Sequence, residues 1–578
     1  MTDSIFDFDP KRFARRLAVV LAAAIGVLAA ALLAYEAFLH YIIPFRDLGY
    51  DTDSWFILAA GDYITHNGIP YENPWALVDG LRVVVQQWLH DCILWLLYSE
   101  NGFAGVRWFQ VAMFCAVGMS LFAVARSLSK KTAASLLLAF AGVAIAGVYI
   151  SARPTSWTML CFIATVAICS AWRTEPRCWL LGVLLAVQLI AANMQISMAP
   201  MMFLTACAFL LPEPARLTRP VAFARAYGDE TDAGARGASR ILVFAELRRH
   251  ARAVWPLAAA AGLCLPIMLL NPYGLDGALY VVRGLGEASY GSLISELQPG
   301  WSYVNWATAP FYAALFLSPL VLAFAAFRSG CAPRMLADPV LVPLAVLWVA
   351  GQVGFAGAMR NIWIAALASV LLAARIALYV RAPRLVPRRL SSLASRLPQA
   401  VPVSVAAALL VAAPFAASHV SAAYGSDMEG IFSNEEDSGV QITRSLTERF
   451  EDVEACYKPI ADAILSWRRG EGRDPVVYMQ NPIAYSYLEF RGLKVPFDMR
   501  PEIWGAAIAG DKSTEPYKAW ADASNADDMD TYIKEGGFDF LVCYPDQAER
   551  LADLVDGAVV VETDDACLIS CPATDTGR

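Results

Sequence analysis

The sequence predicts an α-helical polytopic membrane protein of about eleven transmembrane helices followed by a small C-terminal extracytoplasmic α/β domain. Composition, the spacing of apolar runs and the place where those runs stop lead to this. Of the 578 residues, 57% are hydrophobic and 17% charged, with a mean hydropathy of +0.46. A chain this apolar needs lipid as part of its solvent. Its apolar residues gather into runs of about 20, enough to cross ~30 Å of hydrocarbon at ~1.5 Å per residue. The runs end near residue 420, which divides the chain into a membrane domain, 1–420, and a soluble domain, 421–578. The net charge of −8 hides two populations. Basic residues crowd the loops between apolar runs and acidic ones the tail, a distribution that argues against a nucleic-acid partner.

In chain order the spans fall near 17–40, 105–127, 132–150, 156–172, 178–194, 197–212, 255–271, 308–328, 339–359, 361–380 and 400–419. The first follows Arg15 and Arg16, runs too long for a cleavable signal and stays as an anchor. The fifth and sixth are short, and Pro200 interrupts the sixth. Lys and Arg near span ends are retained in the cytoplasm. The basic clusters fall on alternate loops: the N-terminus; Arg126, Lys130 and Lys131; Arg173 and Arg177; Arg216 through Arg252; Arg328 and Arg334; Arg381 through Arg396. This places the N-terminus in the cytoplasm of a bacterial cell. The tail, the first outer loop (41–104), the 272–307 loop and the turn at Arg360 then lie outside the cytoplasmic membrane.

The outer loops are rich in Trp, Tyr, Asp, Asn, Gly and Pro, residues that suit a structured polar site at a membrane surface. Within the first, Ser54 to Thr65 reads as a short helix entered from an Asp cap, with turns at Asn67-Gly68 and Asn73-Pro74. Gln86 to Tyr98 reads as an amphipathic helix lying on the membrane. In the tail, Val476 to Met479 and Phe538 to Cys543 read as strands, Tyr517 to Lys534 as helical, and Ala558 to Val561 with Ala566 to Ser570 as a closing hairpin. Eight of the twelve cysteines lie in or near apolar runs, where a thiol serves as a small hydrophobe. The tail holds Cys456, Cys543, Cys567 and Cys571, enough for one disulfide in an oxidising compartment.

The first loop carries Asp51-Thr52-Asp53-Ser54-Trp55, then Gly68-Ile69-Pro70, then Gln86-Gln87-Trp88-Leu89. This order resembles a group of bacterial membrane proteins of the GT-C glycosyltransferase superfamily, protein-mannosyltransferase-like enzymes that use polyprenyl-phosphate sugars. Further landmarks are similar: Arg153-Pro154, Asn193 at a span end, Asn271-Pro272-Tyr273-Gly274, Glu296 in an Ile-Ser-Glu-Leu-Gln-Pro run, and Arg360-Asn361. The tail resembles the soluble domain of that group through Asp498-Met499-Arg500 and Gly537 to Val542. The chain departs at Gln86-Gln87, where related chains carry His-Glu, and any chemistry done by that pair is altered here.

The resemblance implies an enzyme that moves a sugar from a polyprenyl-phosphate carrier onto an extracytoplasmic glycan, lipid or protein. Asp51 or Asp53 would deprotonate the acceptor hydroxyl, and Arg360 would hold the departing lipid phosphate. Gln86, Gln87, Trp88, Arg153, Asn193 and Glu296 would line the substrate. Each has a plainer reading. Either aspartate can cap the helix beginning at Ser54, Arg360 can snorkel to the interface, and Trp88 suits an aromatic belt. Asp51-Thr52-Asp53 also matches the metal-holding Asp-x-Asp pattern of nucleotide-sugar transferases, but it does not follow a Rossmann-type strand. His66 and His90 lack a zinc-like spacing, so no metal ligand is assigned, although a divalent ion stays open as a cofactor. Two other classes stay open: a transporter or flippase of lipid-linked glycans, and a non-catalytic membrane scaffold. A transporter would show paired broken helices or midplane charges, whereas here the polar residues gather at span ends.

Overall fold

The computed structural model describes residues 53–216, 232–284, 298–303, 309–380, 450–498, 500, 515–526 and 528–572. The spans expected at 17–40 and 400–419, together with Asp51 and Glu296, lie outside these residues. The first loop forms α1 (Ser54–Asn67) and α2 (Trp88–Asn101). The helices α3 (Phe103–Ser129), α4 (Thr132–Ala146), α5 (Thr155–Thr174), α6 (Cys178–Met194), α7 (Ala199–Ala208) and α8 (Asp232–Ile267) follow. The membrane half closes with α9 (Ala309–Phe316), α10 (Ser318–Arg328), α11 (Leu341–Gly357) and α12 (Ile362–Ala377). Among the described residues, Phe103–Ser129, Thr155–Thr174 and Met359–Ala377 are long and apolar enough to cross a membrane, and α4, α6, α10 and α11 are shorter apolar helices.

Several expectations need correction. Pro200 does not interrupt a span; it stands at the start of α7, where its missing N–H costs nothing. The run expected at 255–271 belongs to a helix that starts at Asp232 and continues through Pro256 and Pro266. The span expected at 308–328 is broken at Leu317 into α9 and α10, with Pro319 in the first turn of α10. The helix expected from Gln86 starts at Trp88, leaving Gln86 in the preceding turn.

Contacts between helix ends sort the bundle into two poles. At one, the Lys131 ammonium reaches the Val380 carbonyl at 2.8 Å, and Arg173 reaches the Phe209 carbonyl and Glu213. There too Arg375 and the Tyr379 hydroxyl converge on the fully buried Asp338 carboxylate. We term this the basic pole. At the other, Asn193 links α6 to the Leu270 carbonyl, and the Tyr71 and Tyr273 hydroxyls strap the first loop to the turn after α8 through the Pro272 and Pro70 carbonyls.

The tail comprises α13 (Phe450–Glu471), β1 (Val477–Met479), α14 (Tyr485–Phe490), α15 (Glu515–Asn525), α16 (Met529–Glu535), β2 (Phe540–Cys543), α17 (Ala548–Leu554), β3 (Ala558–Glu562) and β4 (Cys567–Ser570). The helical stretch expected from Tyr517 to Lys534 is thus two helices. The sheet runs β1-β2-β4-β3, with β1 and β2 parallel and the other pairs antiparallel, so the expected hairpin is present. Side chains alternate across it. Val477, Met479, Phe540, Val542 and Leu568 join the main core with α13 residues such as Ile460 and Ile464, whereas Tyr478, Leu541, Cys543, Cys567 and Ile569 form a second cluster with Leu551 of α17. All four tail cysteines are free thiols, even though Cys543 and Cys567 are cross-strand partners.

The main core runs without interruption from the bundle into the tail. Trp55 of α1 is fully buried and meets the Tyr487 and Phe490 rings of α14 at 4.9 Å each. Beside this contact, backbone bonds from Val495 N–H to the Trp75 carbonyl (2.7 Å) and from Leu77 N–H to the Val495 carbonyl (3.0 Å) add the tail to the first loop as a short parallel bridge. α1 lies hard against α2 because position 61 is glycine. A Cβ there would collide with the Asp91 carbonyl and with Trp95. Gly68, with φ 87°, ends α1 in a conformation that side chains resist.

Candidate functional site

Asp53, Gln87, Trp88 and Arg153 lie where α1, α2, the 150–154 turn and the tail meet. Asp53 occupies the N-cap position of α1, yet its backbone is in the right-handed helical region (φ −77°, ψ −11°) and its side chain makes no capping bond. An N-cap residue normally adopts extended backbone and aims its oxygen at the helix N–H groups. Here Asp53 Oδ2 lies 3.4 Å from Arg153 Nε instead, with the two side chains 41% and 23% exposed. The capping reading therefore does not describe Asp53.

Arg153 is held by its neighbour. His90, fully buried on α2, has Nε2 at 2.6 Å from the Ala152 carbonyl. That carbonyl accepts, so Nε2 carries the proton and Nδ1 does not. Burial lowers the pKa of His90 to about 4 against an ordinary 6.5, with the Ala152 bond opposing the drop. The sign of the linkage follows. The unfolded chain binds the proton first, so stability present above about pH 6.5 drains away as the pH falls toward about 4. In a His90→Gln variant, melting temperature in detergent is expected to lose this acid-side slope; an unchanged slope would assign it to another group.

The remaining first-loop candidates are structural neighbours of this pair. Gln86 accepts the Ile196 N–H at 2.8 Å through its backbone carbonyl. Trp88 Nε1 donates to Asn193 Oδ1 at 3.3 Å, which ties α2 to the end of α6. Gln87 is buried at the N-cap position of α2, without a side-chain capping bond, one turn before Asp91.

Asp91 carried no role in the sequence reading. It is fully buried on α2. Burial pushes its pKa well above the ordinary carboxylate range; Gln87 and the charge of Arg500 oppose the rise, and the charge of Asp53 adds to it. Arg500 comes from the tail. Its side chain pairs with Asp498 and, at 3.2 Å, with Glu489, while its guanidinium carbon sits 3.1 Å from the centroid of the Phe56 ring on α1. Glu489 is likewise fully enclosed, and burial drives its carboxyl upward against the pull of Arg500. The signal for Asp91 is a lone carboxylate in the apolar Trp88–Tyr98 stretch; Glu489 has no comparable signal.

Arg360 stands apart from this cluster, half-buried in a 3-10 turn directly before α12. It makes no hydrogen bond or ion pair with a described residue. The turn is anchored by the Met359 N–H to the Gln298 carbonyl (2.8 Å) and by Asn361 Nδ2 to the Gly354 carbonyl (3.0 Å). Because α12 ends at the basic pole beside Lys131, Arg360 lies at the opposite pole, the one that carries Asp53.

The group facing Asp53 is a guanidinium, and no three His, Cys, Asp or Glu side chains cluster as ligands among the described residues.

No protein-family model matches the sequence, and no characterised protein matches it by sequence. Among solved structures, the fold is similar to the archaeal oligosaccharyltransferase AglB from Archaeoglobus fulgidus, in complex with an inhibitory peptide and a dolichol-phosphate. The identity is 12%, the match covers 93% of this chain and 71% of that one, and the TM-score is 0.50. ArnT from Cupriavidus metallidurans, bound to undecaprenyl phosphate, is 12% identical with 97% and 99% coverage and a TM-score of 0.47. The chain is an integral membrane protein with a GT-C-like fold. Apolar helices carry a small α/β tail on that fold, as the first-loop motifs and the strand and helix signals of the tail led us to expect.

Proposed function

We propose that this protein transfers a sugar from a polyprenyl-phosphate carrier to an acceptor outside the cytoplasm, a glycan, lipid or protein of the cell envelope. The observation that carries this reading is the Asp53–Arg153 pair. A carboxylate at the mouth of α1 forgoes the capping bond its position offers and is held, partly exposed, by a guanidinium from the 150–154 turn. Such a group suits a general base, charged, oriented and within reach of an acceptor hydroxyl. His90 and Ala152 fix the turn that supplies Arg153, and Asp51 would share the role of Asp53. Removing the hydroxyl proton as the new glycosidic bond forms leaves the carrier phosphate to depart with its charge. Arg360, at the same pole and without a described partner, would take that charge. Gln86, Gln87, Trp88, Arg153, Asn193 and Glu296 would frame the substrate.

This reading sets the Asp53 pole outside the cytoplasm and the basic pole inside, following the distribution of Lys and Arg. The test is transfer of radiolabelled sugar from a polyprenyl-phosphate donor in membranes with and without the protein, followed by mass spectrometry of envelope glycans. Loss of one sugar from the envelope supports the reading, and identical glycans together with identical donor consumption refute it. Arg360→Ala is expected to raise the donor KM about tenfold, the loss of a charge-assisted bond to phosphate; an unchanged KM returns Arg360 to an interfacial role.

A further inference from the structure

The face of α8 turned away from the bundle carries two arginines that the proposed reaction does not use. His250, Val254 and Leu257 are buried and set which side of α8 meets the other helices. Arg248, Arg252, Trp255, Ala259 and Gly262 are exposed, and their alternating spacing of four and three residues places them on one face opposite that side. The face is open along its length: nothing stands within 4 Å of where a Cβ on Gly262 would lie. In an integral membrane protein such a face meets lipid.

The helix itself gives the depth of the two arginines in the bilayer. His250 Nε2 lies 2.8 Å from the Leu210 carbonyl, beside the Arg173 contacts of the basic pole. From Arg252 to Ile267 the helix rises about 22 Å, and the next residues lead to the contact between Asn193 and the Leu270 carbonyl at the other pole. Arg252 therefore stands where ~30 Å of hydrocarbon gives way to headgroups. Arg248 is one turn further out, and Trp255, one turn inward, stands at the depth of an aromatic belt. Neither Arg248 nor Arg252 has a hydrogen bond or ion pair with a described residue. Arg249, off this face, bonds Glu246 at 2.5 Å.

We propose that Arg248 and Arg252, with Trp255 beneath them, form a binding site for the headgroup of an anionic phospholipid in the leaflet at the basic pole. Side chains four residues apart on a helix are neighbours, so two guanidinium forks can close on one phosphate. Two positive charges favour a headgroup without a cation of its own, because choline would bring a third beside them. The contact is independent of sugar transfer. It anchors α8 at a fixed depth in the bilayer.

The test uses the full-length protein in neutral detergent with phosphatidylglycerol or phosphatidylcholine of the same acyl chains, bound lipid being counted by native mass spectrometry. The wild type is expected to prefer phosphatidylglycerol about tenfold. In the Arg248→Gln/Arg252→Gln variant the preference should fall to within about twofold, with a lipid-free melting temperature near wild type because both side chains are exposed. If the double variant does not accumulate, the single variants replace it, each expected to lose about threefold. Arg249→Gln removes the same charge from outside the face and should keep the preference. An equal loss in Arg249→Gln would reduce the effect to general charge attraction and overturn the site, as would a wild type without preference or a double variant that retains it. Displacement of the lipid by excess inorganic phosphate would make this a free-anion site and overturn the assignment to lipid.

Discussion

Replacing Asp53 with asparagine is expected to lower sugar transfer by about 10²–10⁴, the usual contribution of a positioned general base, while expression and melting temperature stay near wild type. The substitution keeps the shape and polarity of the side chain and removes its charge. No capping bond is lost, because Asp53 makes none. The ion pair with Arg153 is partly exposed, so its loss costs at most about 1 kcal/mol of stability. Chemistry and folding therefore separate at this residue, which makes it the cleanest probe of the reaction. The measurement is initial rate of transfer per mole of membrane protein, with the Asp51→Asn and double variants alongside to apportion the role. Activity within threefold of wild type in the double variant would remove both aspartates from the mechanism.

The second large effect is structural. Trp55→Ala should destabilise the protein by about 3–5 kcal/mol, the range for truncating a large buried aromatic side chain. Trp55 is fully buried between Phe103 of α3 and Tyr487 and Phe490 of α14, so the cavity would open at the seam between bundle and tail. The expected sign is a lower melting temperature together with faster proteolytic release of the tail. Cleavage at the wild-type rate would mean that the backbone bridge between Trp75 and Val495 holds the tail without Trp55. Activity should fall in step with docking, because Trp55 lies two residues from Asp53.

Much of this arrangement was legible in the residue order. Apolar runs placed α3 to α6, α11 and α12 to within a few residues, because a helix in lipid must satisfy its own backbone hydrogen bonds and so declares itself by length and composition. The tail strands were legible from their β-branched and aromatic content, and Cys567 to Ser570 paired with Ala558 to Glu562 as expected. Helix breaks were harder. Leu317 sits where a continuous hydropathy signal hides a change of helix, since hydropathy reports the solvent and not the path of the backbone. Asp53 and Trp88 of the first loop and Arg153 further along were candidates, but their spacing of tens of residues contains no distance information.

What the sequence determined by itself was the medium, the order of elements and the chemical character of the polar ends. Each of these depends on local composition and on charges that neighbouring residues share. The tertiary structure alone decided that Asp53 turns away from its own helix toward Arg153, that His90 fixes that arginine through Ala152, and that Arg500 crosses from the tail to lie on Phe56. Those choices are made by burial and by partners far apart in the chain. The energy of a carboxylate depends on which charge stands beside it and how much water is left, and neither exists until the bundle and the tail have closed on each other.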